Sequence, residues 1–283
     1  MSKIINGKLL AEKIKDGLVY EITKLPTRPN LAILLVGDRA DSQLYVTLKE
    51  REAKKIGIDT HLYKFDDDTS EAELLKCVDF INKDDLIDGV LLQLPLPKQF
   101  NTDKVVNAIK AEKDVDGFHA DNLKKIKQGK PFIMPPLAGV ILEMLQSINQ
   151  NIQDKKIALL AHSDIFMQGV GNILEQKGAK MLNCAYGNKQ AAELMRCARQ
   201  ADIIITAVGK KHYLSVDYVK PGAVVIDIGI IKEGKETYGD VDFDGVSEVA
   251  GFITPVPGGV GPMTIACAFR NVVEIYKKKH ATK

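Results

Sequence analysis

Short, continuously apolar runs recur along the sequence, each separated from the next by enough chain for a helix. They read LAILLVG (31–37), HLYKF (61–65), DGVLLQL (88–94), KIALLA (156–161), ADIIITAVG (201–209) and GAVVIDIG (222–229). A strand with one wet face alternates polar and apolar residues. Runs without that alternation belong to strands covered on both sides, which is the condition of a parallel sheet between helices. The polar stretches between them, such as 41–56 and 70–82, carry helical spacing. The pattern predicts an α/β fold. Periodicity lapses at KQGKPFIMPPLAG (127–139), where proline, glycine and lysine cluster. The expected organisation is an α/β domain over 1–138, completed by a C-terminal helix at 264–283, and a doubly wound domain with a mainly parallel sheet over 139–263.

A chain of 283 residues can bury two cores of this kind. Its 45% hydrophobic and 27% charged content sits at globular averages, and a net charge of +2 excludes the strongly basic surface that nucleic acid or an anionic membrane requires. No apolar stretch approaches the ~18 residues of a membrane span. The cysteines Cys77, Cys184, Cys197 and Cys267 form no C-x-x-C pair, which argues against structural zinc and thioredoxin-like chemistry. The N-terminal stretch lacks the apolar run of a signal peptide, so a reducing cytoplasm is expected.

In DSQLYVTLKEREAKKIG, Asp41 or Ser42 can cap a helix over 43–56 that Gly57 stops. Tyr45 and Lys49, four apart, then share a face. A lysine beside a phenol after a strand's C-terminal end suits acid/base work, although an exposed Lys and a half-buried Tyr give the same pattern. Gln93 interrupts an apolar strand just before a Pro-rich stop; a buried amide there needs a partner, either a ligand or a lysine or its own loop. In EKDVDGFHADN, Asp114 and Asp116 fall on one side of an extended segment. They can accept N–H groups of a heterocycle or close an Asx turn beside Gly117. No further ligands support a metal, and none of the histidines has a ligand-like partner at i+4. GDVDFDGVSEV imitates a calcium loop at Asp240, Asp242 and Asp244, but its twelfth position is Gly251 where a bidentate Glu belongs, so calcium is rejected. FITPVPGGVGPMTIA combines stiffening prolines with Gly258, Gly259 and Gly261. Such a loop suits backbone contact with a flat ligand or phosphate, with Thr264 in the first turn of the helix that follows.

Taken together, S-x-x-Y-V-x-x-K (42–49), LLQLPLP (91–97), KDVDGFH (113–119), GAVVIDIGI (222–230) and TPVPGGVGPMT (254–264) resemble, in order and spacing, the motifs of the bifunctional methylenetetrahydrofolate dehydrogenase/methenyltetrahydrofolate cyclohydrolase family. The resemblance spans almost the whole chain. It implies two α/β domains with a folate cleft between them, the second Rossmann-like, in a cytoplasmic homodimer that binds tetrahydrofolate derivatives. It implies that Lys49 is the acid/base centre, that Gln93 tunes it, that Tyr45 stacks on the p-aminobenzoyl group and that Asp116 anchors the pterin. Pro257, Gly258 and Gly259 belong to the loop closing on folate. The cofactor side falls to Ala161, His162, Ser163, Ile230 and Thr264, with NADP as the family's cofactor and no metal.

That side departs from the pattern. Where the family has G-R-S-x-x-V-G-x-P, this chain has Ala161, His162, Ser163 and Asp164, then Met167, Gln168 and Gly169. A glycine that admits pyrophosphate and an arginine that pairs with it are missing, and Asp164 adds a negative charge. Met134, Pro135, Pro136 and Leu137 replace P-C-T-P before Ala138 and Gly139, and Tyr186 stands where many members carry a serine. GVG at 169–171 could supply amides instead if the loop were longer. The expectation is a folate enzyme with cyclohydrolase activity and weak or absent NADP-dependent dehydrogenase activity. The alternative is a non-catalytic folate-binding or regulatory paralogue, against which the intact Lys49 counts.

Overall fold

The structure, a computed structural model, describes residues 3–162, 164–182, 184, 191–234 and 236–281. In chain order the elements begin with β1 (Lys3–Ile4), α1 (Gly7–Ile22), β2 (Asn30–Val36), α2 (Ala40–Ile56), β3 (Asp59–Phe65), α3 (Glu71–Lys83) and β4 (Gly89–Leu92). Two short helices follow, α4 (Thr102–Ala108) and α5 (Ala120–Lys127). Next come α6 (Pro136–Ser147), β5 (Lys156–Ala161), α7 (Asp164–Gln176), β6 (Lys180–Leu182), α8 (Ala191–Ala198), β7 (Ile203–Ala207) and β8 (Val224–Asp227). The hairpin strands β9 (Ile231–Glu233) and β10 (Glu236–Tyr238), then α9 (Phe243–Ser247), β11 (Phe252–Ile253) and α10 (Val260–Ala281), complete the chain. No described helix is long and apolar enough to cross a membrane.

The chain packs as two compact units, one of residues 13–136 with 265–283 and one of 1–12 with 137–264. In the first, β2 is the middle strand of a parallel sheet ordered β3-β2-β4. Leu31, Ile33 and Leu35 face a core with Val46, Ala53, Phe269 and Val272, while Ala32, Leu34 and Val36 face another with Leu74, Val78 and Ile81. Helices thus cover both faces, as the unbroken apolar run of β2 requires. Each fully buried Leu or Ile contributes about 1.5–3 kcal/mol. Val90 N–H donates to Lys113 O (2.7 Å) and Val115 N–H to Val90 O (3.2 Å), so residues 113–115 lie along β4 as a further parallel pairing.

The second unit holds a parallel sheet ordered β1-β11-β8-β7-β5-β6. Successive connections leave β5 in opposite directions, towards β6 on one side and β7 on the other, so the topological switch point lies between β5 and β7. Residues 1–12, assigned by sequence to the first domain, belong here, because β1 pairs with β11 at the sheet's edge. A two-residue strand carries no periodic signal. Cys184 and Cys197 are disulfide-bonded, with Cα atoms 5.7 Å apart, a pairing the expectation of a reducing environment did not foresee. The end of β6 and helix α8 bring them together across thirteen positions of sequence.

Candidate active site

In the first unit, α2 begins at Ala40, and the N-cap position falls to Arg39, whose side chain makes no capping hydrogen bond, rather than to Asp41 or Ser42. The Arg39 guanidinium holds the Asp41 carboxylate at 2.7 Å, so Asp41 sits in the first turn and accepts the Ser42 N–H. That placement still sets a negative charge against the helix's positive end. Gly57 ends α2 in the left-handed conformation (φ 89°), as its position after the last apolar residue predicted. Tyr45 and Lys49 thus lie one turn apart on α2, both half-buried.

The Lys49 Nζ donates to Gln93 Oε1 at 2.9 Å. Gln93 follows β4 directly, its N–H bound to Leu34 O (2.9 Å) and its Nε2 donating to Leu94 O (2.8 Å). With the amide nitrogen so engaged, the amide oxygen faces the amine. Burial pulls the Lys49 amine below its usual value, and the Asp116 carboxylate acts in the opposite sense. Burial raises the Asp116 carboxyl to about 6; Lys49 opposes that rise and Asp114 adds to it. Burial, and then Asp41, raise the Tyr45 phenol, so it remains protonated at neutral pH. The first unit therefore brings together a lysine whose burial favours the neutral amine, an amide that accepts from it, a carboxylate that acts in the opposite sense and a phenol one turn away. Such a set can accept and return protons near neutrality.

Asp114 does not share the ligand-facing role open to it from sequence. It is buried, and its oxygens accept N–H groups of Gly117, His119 and Asn122. Asn271, not singled out from sequence, is another buried support: its Nδ2 donates to Val115 O and to Met134 O, each at 2.8 Å. A lone amide inside the apolar run of α10 was the available signal.

In the second unit, the segment at 254–259 is shaped by its glycines. Gly258 has φ 103° and its carbonyl accepts the Lys8 N–H (3.0 Å), while a Cβ on Gly259 would stand 2.5 Å from Pro255 O. Pro257 is exposed. Thr264 lies one turn into α10, because that helix starts at Val260, and its hydroxyl donates to Val260 O (3.2 Å).

At the switch point, Ala161 is the buried last residue of β5, in register with Ala207 of β7, and exposed His162 follows it. Ser163, Tyr186 and the side chain of Asp164 lie outside the described residues. Gly169, Val170 and Gly171 fall inside α7, so their amides belong to that helix and the loop is not lengthened to offer them. Ile230 is 40% exposed, between β8 and β9. The rejected calcium loop has other work. Asp240 accepts the Thr206 hydroxyl (2.9 Å) and the Val208 and Lys210 N–H groups (2.6 and 2.9 Å). Asp227 accepts N–H groups of Gly229, Asp240 and Val241. These buried carboxylates brace the turns after β7 and β8.

Comparison with known proteins agrees with this arrangement. Residues 5–116 match the catalytic-domain model of tetrahydrofolate dehydrogenase/cyclohydrolase, and 135–280 match the family's NAD(P)-binding domain. The bifunctional protein FolD of Geotalea uraniireducens is 40% identical over 283 residues, covering 99% of this chain and 100% of that protein. The crystal structure of the bifunctional enzyme FolD from Campylobacter jejuni superposes with a TM-score of 0.92 at 35% identity, over 98% of this chain and 99% of that one. FolD of Trypanosoma brucei, solved with NADP and an inhibitor, gives a TM-score of 0.92 at 27% identity, over 98% of each chain. On matches that span nearly its full length, the chain belongs to the tetrahydrofolate dehydrogenase/cyclohydrolase family.

Proposed function

We propose that this chain hydrolyses 5,10-methenyltetrahydrofolate to 10-formyltetrahydrofolate, with Lys49 moving the protons, and that NADP-dependent oxidation of 5,10-methylenetetrahydrofolate is the weaker of its two activities. The observation that carries the proposal is the 2.9 Å contact between the Lys49 amine and Gln93 Oε1. A lysine at its ordinary value of ~10.4 is almost wholly protonated at neutral pH and a poor base. Burial corrects this by favouring the neutral amine.

In the proposed reaction, neutral Lys49 accepts a proton from the water that attacks the methenyl carbon. The hydroxyl adduct then opens: its O–H proton leaves as the formyl C=O forms, and N5 takes up a proton as its bond to that carbon breaks. One proton is released overall, matching the loss of the substrate's positive charge. Asp116 accepts pterin N–H groups and Tyr45 stacks on the p-aminobenzoyl ring. The Pro257–Gly258–Gly259 segment supplies further folate contacts. Support for the last two assignments is the family pattern.

Oxidation also needs a dinucleotide. The chain carries the family's NAD(P)-binding domain, but His162 and Ala161 stand where the pattern has arginine and glycine. Losing a charged contact to phosphate costs about 3 kcal/mol, or roughly a hundredfold in affinity. Purified protein mixed with methenyltetrahydrofolate and no dinucleotide should remove the substrate's absorbance at an enzymatic rate. An unchanged absorbance would sink the hydrolase reading. With methylenetetrahydrofolate and NADP, turnover should be slow and the KM for NADP high. The double substitution Ala161→Gly with His162→Arg should lower that KM by one to two orders of magnitude. Ordinary turnover at low NADP in the unmodified protein would refute the weakened cofactor side. We also propose a homodimer, since β3 is an exposed sheet edge; sedimentation as a monomer at assay concentration would contradict it.

A further inference from the structure

Asp114 is 4% exposed, and each of its hydrogen-bond partners is a donor. Oδ1 accepts the Gly117 N–H at 3.1 Å; Oδ2 accepts the His119 N–H at 2.8 Å and the Asn122 Nδ2 at 3.1 Å. Burial raises the Asp114 carboxyl, and the three donors act against that rise by favouring the anion. The two backbone donors belong to one turn, and Asn122 reaches in from α5. Gly117 takes φ 72°, and this left-handed step turns the chain so that both amides face back to the carboxylate.

Asn122 shows how strongly the arrangement is specified. It is 1% exposed, and its Nδ2 donates both to Asp114 and to Ala111 O (2.8 Å). Its Oδ1 has no hydrogen-bond partner. Reversing the amide would aim that oxygen at two acceptors, so the orientation is set and a buried acceptor is left unmatched to supply Asp114 with a donor.

The residues just before Asp116 are tied down as well. Backbone bonds to Val90 lace 113–115 to β4, and Asn271 holds Val115 O at 2.8 Å. The register pairs Val90 with Asp114.

We propose that Asp114 is a positioning residue for the folate reaction: its carboxylate holds the turn 114–119 and so fixes the backbone that carries Asp116. Its effect on rate rests on the hydrolase reading above; its effect on the turn does not. Asp114 also places a negative charge beside Asp116, whose carboxyl it pushes up.

The test is Asp114→Asn in the full chain. The substituted amide meets the N–H groups with a donor of its own where an oxygen stood. Amide hydrogen exchange at Gly117 and His119 should quicken at least tenfold, and the KM for methenyltetrahydrofolate should rise about tenfold with a smaller change in kcat. The Asp116 carboxyl, followed by carbon-13 NMR, should titrate at lower pH than in the parent. A merely structural residue would not move that midpoint. A folded Asp114→Asn protein with parental exchange, KM and Asp116 titration would overturn the proposal. Should it not fold, Asn122→Ala removes one donor and leaves the carboxylate, and it should give a smaller rise in exchange and KM; parental values there would overturn it equally. If the parent shows no hydrolysis, the functional reading fails, while exchange and titration still decide the role of Asp114.

Discussion

The proposed chemistry is concentrated in one amine and its neighbours. Tyr45 and Lys49 were legible because helical spacing puts residues four apart on one face. Gln93 was legible as a polar residue out of place in an apolar strand. Spacing alone left Asp114 and Asp116 equivalent, and only the family resemblance pointed to Asp116, since the two have the same chemistry and differ only in what surrounds them. Their surroundings separate them: the oxygens of Asp114 are taken up by donors, whereas burial raises the Asp116 carboxyl and Lys49 opposes that rise. The rise has a sign that can be tested. The Asp116 carboxyl is raised from 3.8 to about 6, so between those values the folded chain holds a proton that the unfolded chain has released. Stability from this group is therefore full below pH 4, falls as pH climbs through 6, and is flat above. Asp116→Asn should melt a few degrees higher than the parent at pH 7.5, by up to about 3 kcal/mol, with the gain vanishing towards pH 4. A melting curve that shifts equally at both pH values would show that Asp116 is not raised. The same group should give hydrolysis an acid limb near pH 6 that the variant lacks.

Elements with a strong periodic signal were readable and those without one were not. Helix α3, expected from spacing over 70–82, runs Glu71–Lys83 behind a full capping box, with Ser70 accepting from the Glu73 N–H and Glu73 from the Ser70 N–H. Strands β6 and β11, of three and two residues, lie below any period a sequence can display. The hydrogen-bonding duty of Asp240 was equally hidden, because its partners at 206–210 are some thirty positions away. Gly7 was also passed over. It opens α1, behind Asn6, whose side chain accepts the Leu9 N–H (3.0 Å), and a Cβ at Gly7 would collide with the Gly259 carbonyl. Backbone cannot yield as a flexible side chain does. Gly7→Ala should destabilise the chain by about 1–3 kcal/mol, read by urea denaturation, and raise the KM for the folate substrate if the 254–259 segment contacts it. Unchanged stability would mean that the loop shifts freely.

For the molecule as a whole, composition bounded the class and alternating runs gave the architecture, but neither pointed to folate. That step came from motifs whose order spans both units, and the family match over 5–116 and 135–280 agrees with it. The proposed division of labour is uneven: in this reading Lys49 and its neighbours carry hydrolysis, while Ala161 and His162 stand after β5 where the family pattern has glycine and arginine. Hydrolysis and dinucleotide binding can therefore be pulled apart. The most direct measurement is the decay of methenyltetrahydrofolate absorbance, without dinucleotide, catalysed by the parent and by Lys49→Ala at equal concentration. The account predicts a fall of at least about a hundredfold in the variant, since general acid–base groups contribute 10²–10⁴ in rate, with its melting temperature preserved. Equal rates in the two proteins would contradict it.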